Sequence, residues 1–323
     1  MRREVQGSIV AAFLVATLLT PVGAQEPYPA KPVRFIVPFP AAGPLDVVAR
    51  VYAQKLGEQW GRPAIVDNRP GATGTIGADA VAKAAPDGYT LLFTVDLPIV
   101  MAPTLLKLPY DAKTDLVPVA AVGETVNMLV VHPSAAVGTI GELVTAAKTK
   151  PGTLTFASGG NASPGHLCVE MVKSRAGIDL THVPYKGAAP AMNAALAGEV
   201  AMFCGPMIAG LPHVRAGKLK ALGVTGTQAH ALAPEIPPLA ATFPGLAFAN
   251  WYAVFAPRGT PPAVTGFLRE ALRRTYEDPA VNQRLAAAGV DPIWMDATQI
   301  SAAIDRDLAK WDGVVKAARI KAE

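Results

Sequence analysis

Ser163 and His166 are a hydroxyl and an imidazole three residues apart, ahead of an apolar helical run. As nucleophile and base they would suit a secreted hydrolase. The stretch lacks a GxSxG elbow, and no third triad member is identifiable, so hydrolysis is the lesser alternative. The same loop, Ser158-Gly159-Gly160-Asn161-Ala162-Ser163-Pro164-Gly165, offers hydroxyls, an Asn amide and backbone N–H groups. All of these can donate to a carboxylate. His166 either orients a ligand oxygen or finishes the helix start. Asn161-Ala162-Ser163 also spells a glycosylation sequon, for which a chance match suffices.

A second stretch has the same design. Val33 to Val37 is a short β-rich run, broken by Pro38-Phe39-Pro40-Ala41-Ala42-Gly43-Pro44. Val48, Tyr52 and Leu56 then recur at helical spacing. Pro44 suits the first helical position, where a missing N–H costs nothing. Asp46 suits the positive end of the helix dipole. A turn entering a helix presents unpaired N–H groups, a site for one carboxylate of a small ligand. An ionised Asp46 cannot itself attract a carboxylate, so its expected work is to cap the helix, orient waters or contact a ligand hydroxyl. Gly71, Gly74 and Gly77 form GxxGxxG, neither a dinucleotide fingerprint nor a Walker motif. They read as a tight turn and close helix packing.

The elements that must hold these loops follow from the pattern. Strands are expected at 33–37, 63–66 and 89–94, each followed by a turn and a helix, a period of about thirty residues that argues a parallel sheet covered by helices. Ligands of such sheets bind beyond the carboxyl ends of the strands, so Phe39–Gly43 and Thr94–Pro98 should share one edge. Val117–Val131 reads as strands leaving the first domain. The theme restarts with a strand at 154–157 and the Ser/Gly/Asn loop, and continues with strands at 179–184, 200–203 and 218–225. Residues 226–245 read as a long crossing, 247–256 as a strand carrying Trp251 and Tyr252, and the remainder as three helices. Ile300, Ile304, Leu308 and Trp311 make a core-facing stripe on the last. Trp251 and Tyr252 suit packing at the domain junction, with lining of a cleft as the alternative.

The ends and the composition narrow the function classes. Arg2, Arg3, an apolar run from Ile9 to Leu19 and Val22-Gly23-Ala24 match a secretory signal peptide, residues 1–24, cut near Ala24. The remaining chain holds 27 basic and 24 acidic residues, a formal +3, scattered without a Lys/Arg block. Nucleic acid is therefore not an expected partner. The length fits two domains. The histidines and the two cysteines, Cys168 and Cys204, show no zinc-ligand spacing, so neither metal nor cofactor is expected. In an exported protein the cysteines could pair as a disulfide.

Several ordered motifs resemble the Bug-type solute receptors of tripartite tricarboxylate transporters. They are Tyr28-Pro29-Ala30-Lys31-Pro32-Val33-Arg34 with Val37-Pro38-Phe39-Pro40, Val66-Asp67-Asn68-Arg69-Pro70-Gly71, Ala85-Pro86-Asp87-Gly88-Tyr89-Thr90-Leu91-Leu92, His182-Val183-Pro184-Tyr185-Lys186-Gly187, and Trp251-Tyr252 with Phe255-Ala256-Pro257. The resemblance implies an α/β, type II periplasmic-binding-protein fold: two lobes around a cleft, joined by crossing strands. Lobe 1 would hold 25–124, lobe 2 would hold 125–225, and 226–323 would cross the hinge and return to lobe 1. It implies a periplasmic, non-catalytic, monomeric receptor that passes a small di-, tri- or aromatic carboxylate to membrane permease subunits. A sensor for a membrane signalling partner is the alternative role. The implied ligand-binding residues are Phe39, Pro40, Ala41, Ala42, Gly43, Asp46, Thr94, Asp96, Ser158, Gly159, Asn161, Ser163, His166, Tyr185 and Cys204. Leu45 stands where the family usually has a small polar residue, so a less polar ligand portion would be tolerated. Relatives often carry Asp at the position of Cys204, so an amino acid is a weaker ligand guess. Cys204 and Cys168 would both sit near the cleft rim.

Overall fold

The computed structural model describes residues 28–318 and 320; segment 1–24, expected from the sequence to be a signal peptide, lies outside them. In chain order the elements are β1 (Val33–Val37), α1 (Pro44–Trp60), β2 (Ala64–Asn68), α2 (Thr75–Ala82), β3 (Thr90–Val95), β4 (Leu116–Thr125), β5 (Asn127–Val131), α3 (Ile140–Thr149), β6 (Thr155–Ser158), α4 (Pro164–Ala176), β7 (Thr181–Pro184), α5 (Ala188–Leu196), β8 (Met202–Pro206), α6 (Met207–Arg215), β9 (Lys220–Val224), β10 (Asn250–Pro257), α7 (Pro262–Tyr276), α8 (Pro279–Ala287) and α9 (Ala297–Ala318).

They form two α/β lobes, each around a five-stranded sheet. The orders are β2-β1-β3-β10-β4 and β7-β6-β8-β5-β9. In each, three strands run parallel, as the strand–helix period predicts. The fourth strand of each row is antiparallel to both its neighbours. The chain passes from the first sheet to the second at Val126, between β4 and β5, and returns through 225–249. Val33, Phe35 and Val37 on one face of β1 pack with Leu45, Val48, Tyr52 and Leu56 of α1. Burying such side chains is worth roughly 1.5–3 kcal/mol each, enough to seat α1 on its sheet.

α9 straps the lobes together. Its Ile300, Ile304 and Trp311 are buried in a core that also takes in Val100 and Met101 of lobe 1 and Met171 and Val172 of α4 in lobe 2. Trp311 meets Phe248, on the returning crossing, edge to face at 5.0 Å. α6 contains Gly210 and Pro212, two poor helix formers. Gly210 earns its place by lying against Met128 of β5, where a Cβ would come within 2.7 Å of the Met128 methyl. No helix among the described residues is long and apolar enough to cross a membrane.

Candidate functional site

Each lobe ends its first parallel strand in the same turn. In lobe 1 the sequence is Ala41-Ala42-Gly43-Pro44-Leu45-Asp46; in lobe 2 it is Asn161-Ala162-Ser163-Pro164-Gly165-His166. Ala42 and Ala162 occupy the left-handed region, at φ 64° and 60°. A non-glycine residue there costs roughly 1–3 kcal/mol, so something must hold it. In both turns the holder is the side chain four residues on. Asp46 Oδ2 accepts the Ala42 N–H at 2.9 Å, and His166 Nδ1 accepts the Ala162 N–H at 3.2 Å. The following helices both begin at proline, Pro44 and Pro164.

A neighbouring edge strand supplies the second support in each lobe. In lobe 1, Asn68 at the end of β2 donates from Nδ2 to Asp46 Oδ1 at 2.9 Å and to the Phe39 carbonyl at 3.1 Å. Arg50 donates from Nε to Asp46 Oδ2 at 2.9 Å and from Nη2 to Asn68 Oδ1 at 3.1 Å. In lobe 2, His182 of β7 meets Ser158 Oγ through Nε2 at 2.7 Å. Ser158 in turn donates to the Gly160 carbonyl and accepts the Gly160 N–H. Tyr185 and Gly187 donate backbone N–H bonds to the carbonyls of Ser158 and Gly159, so the stretch after β7 lies along the loop.

The two anchors differ in charge. Burial pushes the Asp46 carboxyl up, but hydrogen bonds from Arg50, Ala42 and Asn68 and the Arg50 charge outweigh it and hold the group below the usual carboxylate range. Burial, the adjoining His182 ring and the Lys173 charge push His166 down to about 3. With Nδ1 accepting, His166 is the neutral Nε2–H tautomer. Between the ordinary histidine value of about 6.5 and the depressed one, the unfolded chain binds the extra proton. Stability should therefore fall as pH drops through that window, and a His166→Asn variant should show a shallower fall in melting temperature.

Ser163 and His166 do not form a nucleophile–base pair. Ser163 Oγ accepts the His166 backbone N–H at 3.3 Å and caps α4, while the ring nitrogen facing the loop is spent on Ala162. Phe39 is half-buried and Pro40, Ala41 and Ala42 are exposed; Gly159, Gly160 and Asn161 are half-buried. These are the surfaces that the two turns present. Phe39 also shares an edge with Pro98, since a Cβ on Gly74 would meet the Phe39 ring at 3.1 Å and Pro98 at 3.4 Å.

Three candidates lie away from this surface. Thr94 is fully buried in β3 and donates to the Val95 carbonyl. Asp96 is 1% exposed, and both of its oxygens accept from Asn250 Nδ2, at 3.0 and 3.1 Å. β10 inserts beside β3 and covers this carboxyl. Cys204 is sealed beneath α4. It and Cys168 are free thiols rather than a bridge, and burial and the adjoining Cys168 push the Cys204 thiol up. Trp251 is buried in the core that spans both lobes, with Nε1 donating to Asp307 Oδ2 at 3.1 Å, and Tyr252 is buried in the core of lobe 1.

Asp96 belongs to a hinge ladder. Asn250 Oδ1 accepts from Asn127 Nδ2 at 2.7 Å, and the Asn127 N–H donates to Thr225 Oγ1 at 2.9 Å, so the ladder ties both crossing segments together. Burial raises the Asp96 pKa well above the ordinary value, against the Asn250 hydrogen bond. The folded protein then binds a proton that the unfolded chain releases above about pH 4. Stability should fall as pH rises through that window. Asp96→Asn keeps an acceptor for Asn250 and should flatten the fall, read as melting temperature against pH.

Sequence reasoning missed Arg50, Asn68, His182, Asn127 and Asn250. The Asp46–Arg50 spacing of four was a visible signal. The others depend on which strands become neighbours.

The model of the tripartite tricarboxylate transporter family receptor matches residues 48–320. The chain belongs to this receptor family. It is 36% identical over 313 residues to BugT of Bordetella pertussis strain Tohama I, covering 96% of each chain. The solved structure of R. palustris Rpa4515 with adipate superposes with a TM-score of 0.85 at 30% identity, covering 92% of this chain and all of that one. MatC of Rhodopseudomonas palustris with bound malate superposes at 0.79 with 28% identity, covering 89% of this chain and all of that one. The receptor thus has the fold of the periplasmic binding proteins, with its paired turns at the carboxyl ends of the parallel strands.

Proposed function

We propose that the receptor captures a small organic carboxylate between its lobes, outside the cytoplasm, and delivers it to membrane permease subunits. The observation that carries the proposal is the repeated turn: one per lobe, each with a left-handed alanine whose N–H is fixed by the side chain four residues on. Fixing the turns in advance lowers the ordering cost of binding. The loops' backbone amides, the Asn161 amide and the Ser163 hydroxyl are chemistry suited to a carboxylate, while the Ser158 hydroxyl is spent on the Gly160 carbonyl. Adipate and malate in the related structures agree with this ligand class.

We place the lobe boundaries after Glu124 and after Thr225, and read binding as closure about the hinge ladder. The role is non-catalytic, because Ser163 and His166 are committed to building the loop.

The test is a thermal-shift screen of mature protein, unfolded and refolded to strip retained ligand. The panel holds aliphatic dicarboxylates including adipate and malate, citrate-like acids, aromatic acids, acidic amino acids and neutral sugars. A ligand at 100 times its dissociation constant adds about 2.7 kcal/mol to the folded state. A rise with one carboxylate class is the expected result. A rise with sugars alone, or none with any carboxylate, would overturn the proposal.

A further inference from the structure

Two imidazoles grip the two ends of the second loop. His166 holds Ala162 through Nδ1, and His182 holds Ser158 through Nε2. Ser158 and Ala162 are buried, whereas residues 159–161 between them are half-buried. The rings lie nearly flat on each other, with centroids 3.9 Å apart and planes 5° apart. Phe156 extends the stack, 4.7 Å from His182.

We propose that the stacked His166–His182 pair is the positioning element of the second loop, acting on the ligand through the backbone it fixes. The proposal rests on the carboxylate reading of that loop. A loop containing Gly159 and Gly160 has wide conformational freedom, so its ends must be held from outside. Each ring restrains the other, and each spends a nitrogen on one end. The lone pair at His166 Nδ1 is essential, because a protonated nitrogen there would face the Ala162 N–H donor to donor. Burial first, and then the charges around the ring, keep that nitrogen unprotonated. Lys173, 6.0 Å from the Phe156 ring centre, opposes a second positive charge. Glu170 Oε1 is 3.9 Å from His166 Nε2 but is held at 2.8 Å by Lys173. Lobe 1 reaches the same end with a carboxylate and an amide, Asp46 and Asn68.

The distinguishing experiment uses three variants of the mature chain: His166→Leu, His166→Asn and His182→Leu. Leucine fills the site without an acceptor, whereas the asparagine oxygen can occupy the place of Nδ1. Amide exchange of Ala162 and Gly160 is read by NMR without ligand, and carboxylate affinity by calorimetry with adipate and malate. His166→Leu is expected to speed Ala162 exchange about tenfold or more and to weaken carboxylate binding by a similar factor. His166→Asn is expected to recover both to within about threefold, a rescue that loss of packing alone would not give. His182→Leu should do to the Gly160 amide what His166→Leu does to Ala162. Wild-type exchange in both leucine variants, or an asparagine variant as impaired as the leucine one, would overturn the clamp. If the wild type binds no carboxylate of the thermal-shift panel, the receptor proposal falls by itself, since exchange decides the clamp with no ligand present.

Discussion

Asp46→Ala should weaken carboxylate binding by about tenfold or more and lower stability by about 2–4 kcal/mol, without unfolding the receptor. The carboxylate is 3% exposed and accepts from Ala42, Arg50 and Asn68. Alanine takes the acceptor away from all three donors together. The half-exposed Arg50 can turn to water at little cost, so the loss falls mainly on the Asn68 amide and the Ala42 N–H. Without its anchor, Ala42 should relax out of the left-handed region and take Phe39–Gly43 with it. Asp46→Asn is the informative companion. It keeps an acceptor for Ala42 but presents an N–H₂ beside a donor, so its affinity should lie between wild type and alanine. Titration calorimetry gives the affinity, and urea unfolding gives the stability. Unchanged affinity in Asp46→Ala would show that the first turn is not part of the ligand site.

Gly165→Ala should be the most disruptive single methyl in lobe 2. A Cβ at this position would stand 1.9 Å from the Cys204 carbonyl oxygen and 2.7 Å from its carbon. Both obstacles are backbone atoms of the central strand β8, so no side chain can swing aside. Overpacking of a core costs typically 1–3 kcal/mol, and a backbone clash belongs at or above the upper end of that range. α4 would have to lift from β8 at its first turn, where Ser163 caps it and His166 holds Ala162. The expected outcome is a loss of about 3 kcal/mol or more in urea unfolding, with carboxylate affinity falling in whatever fraction stays folded. By contrast, Gly266→Ala, where no atom lies within 4 Å, should be neutral or slightly stabilising in the middle of α7. Equal behaviour of the two would contradict the packing of α4 on β8.

Much of this architecture is local and therefore legible in the chain. Pro44 marks a helix start because its missing N–H is spare there, whereas Pro164, read as part of the loop before a helix from about His166, proves to open α4 in the same way. A short β-branched run marks β1, and the thirty-residue period marks parallel pairing. Those signals were enough to locate the two loops, with the family motifs in series naming the fold. The correspondence of Ala42 to Ala162, and of Asp46 to His166, was present in the letters too. It gains meaning only when both alanines are found left-handed.

What tertiary structure alone decided is who stands beside whom. β10 arrives from more than 150 residues beyond β3 and inserts between β3 and β4. That insertion buries Asp96 and gives it Asn250 as a partner. Spacing along the chain could not show this, because a strand's neighbour is set by the whole sheet. For the same reason His182, read only as part of a motif, became a stacking and hydrogen-bonding partner. β7 pairs with β6 in a register that sets His182 opposite Phe156. The cysteines show the limit most plainly. Their letters allowed a bridge, and packing placed them side by side as free thiols under α4. The chain by itself determined the pieces and the turns that end them. The contacts across lobes and sheets determined which polar groups face a ligand and which are spent holding the turns, because burial and hydrogen-bond satisfaction are properties of the assembled fold.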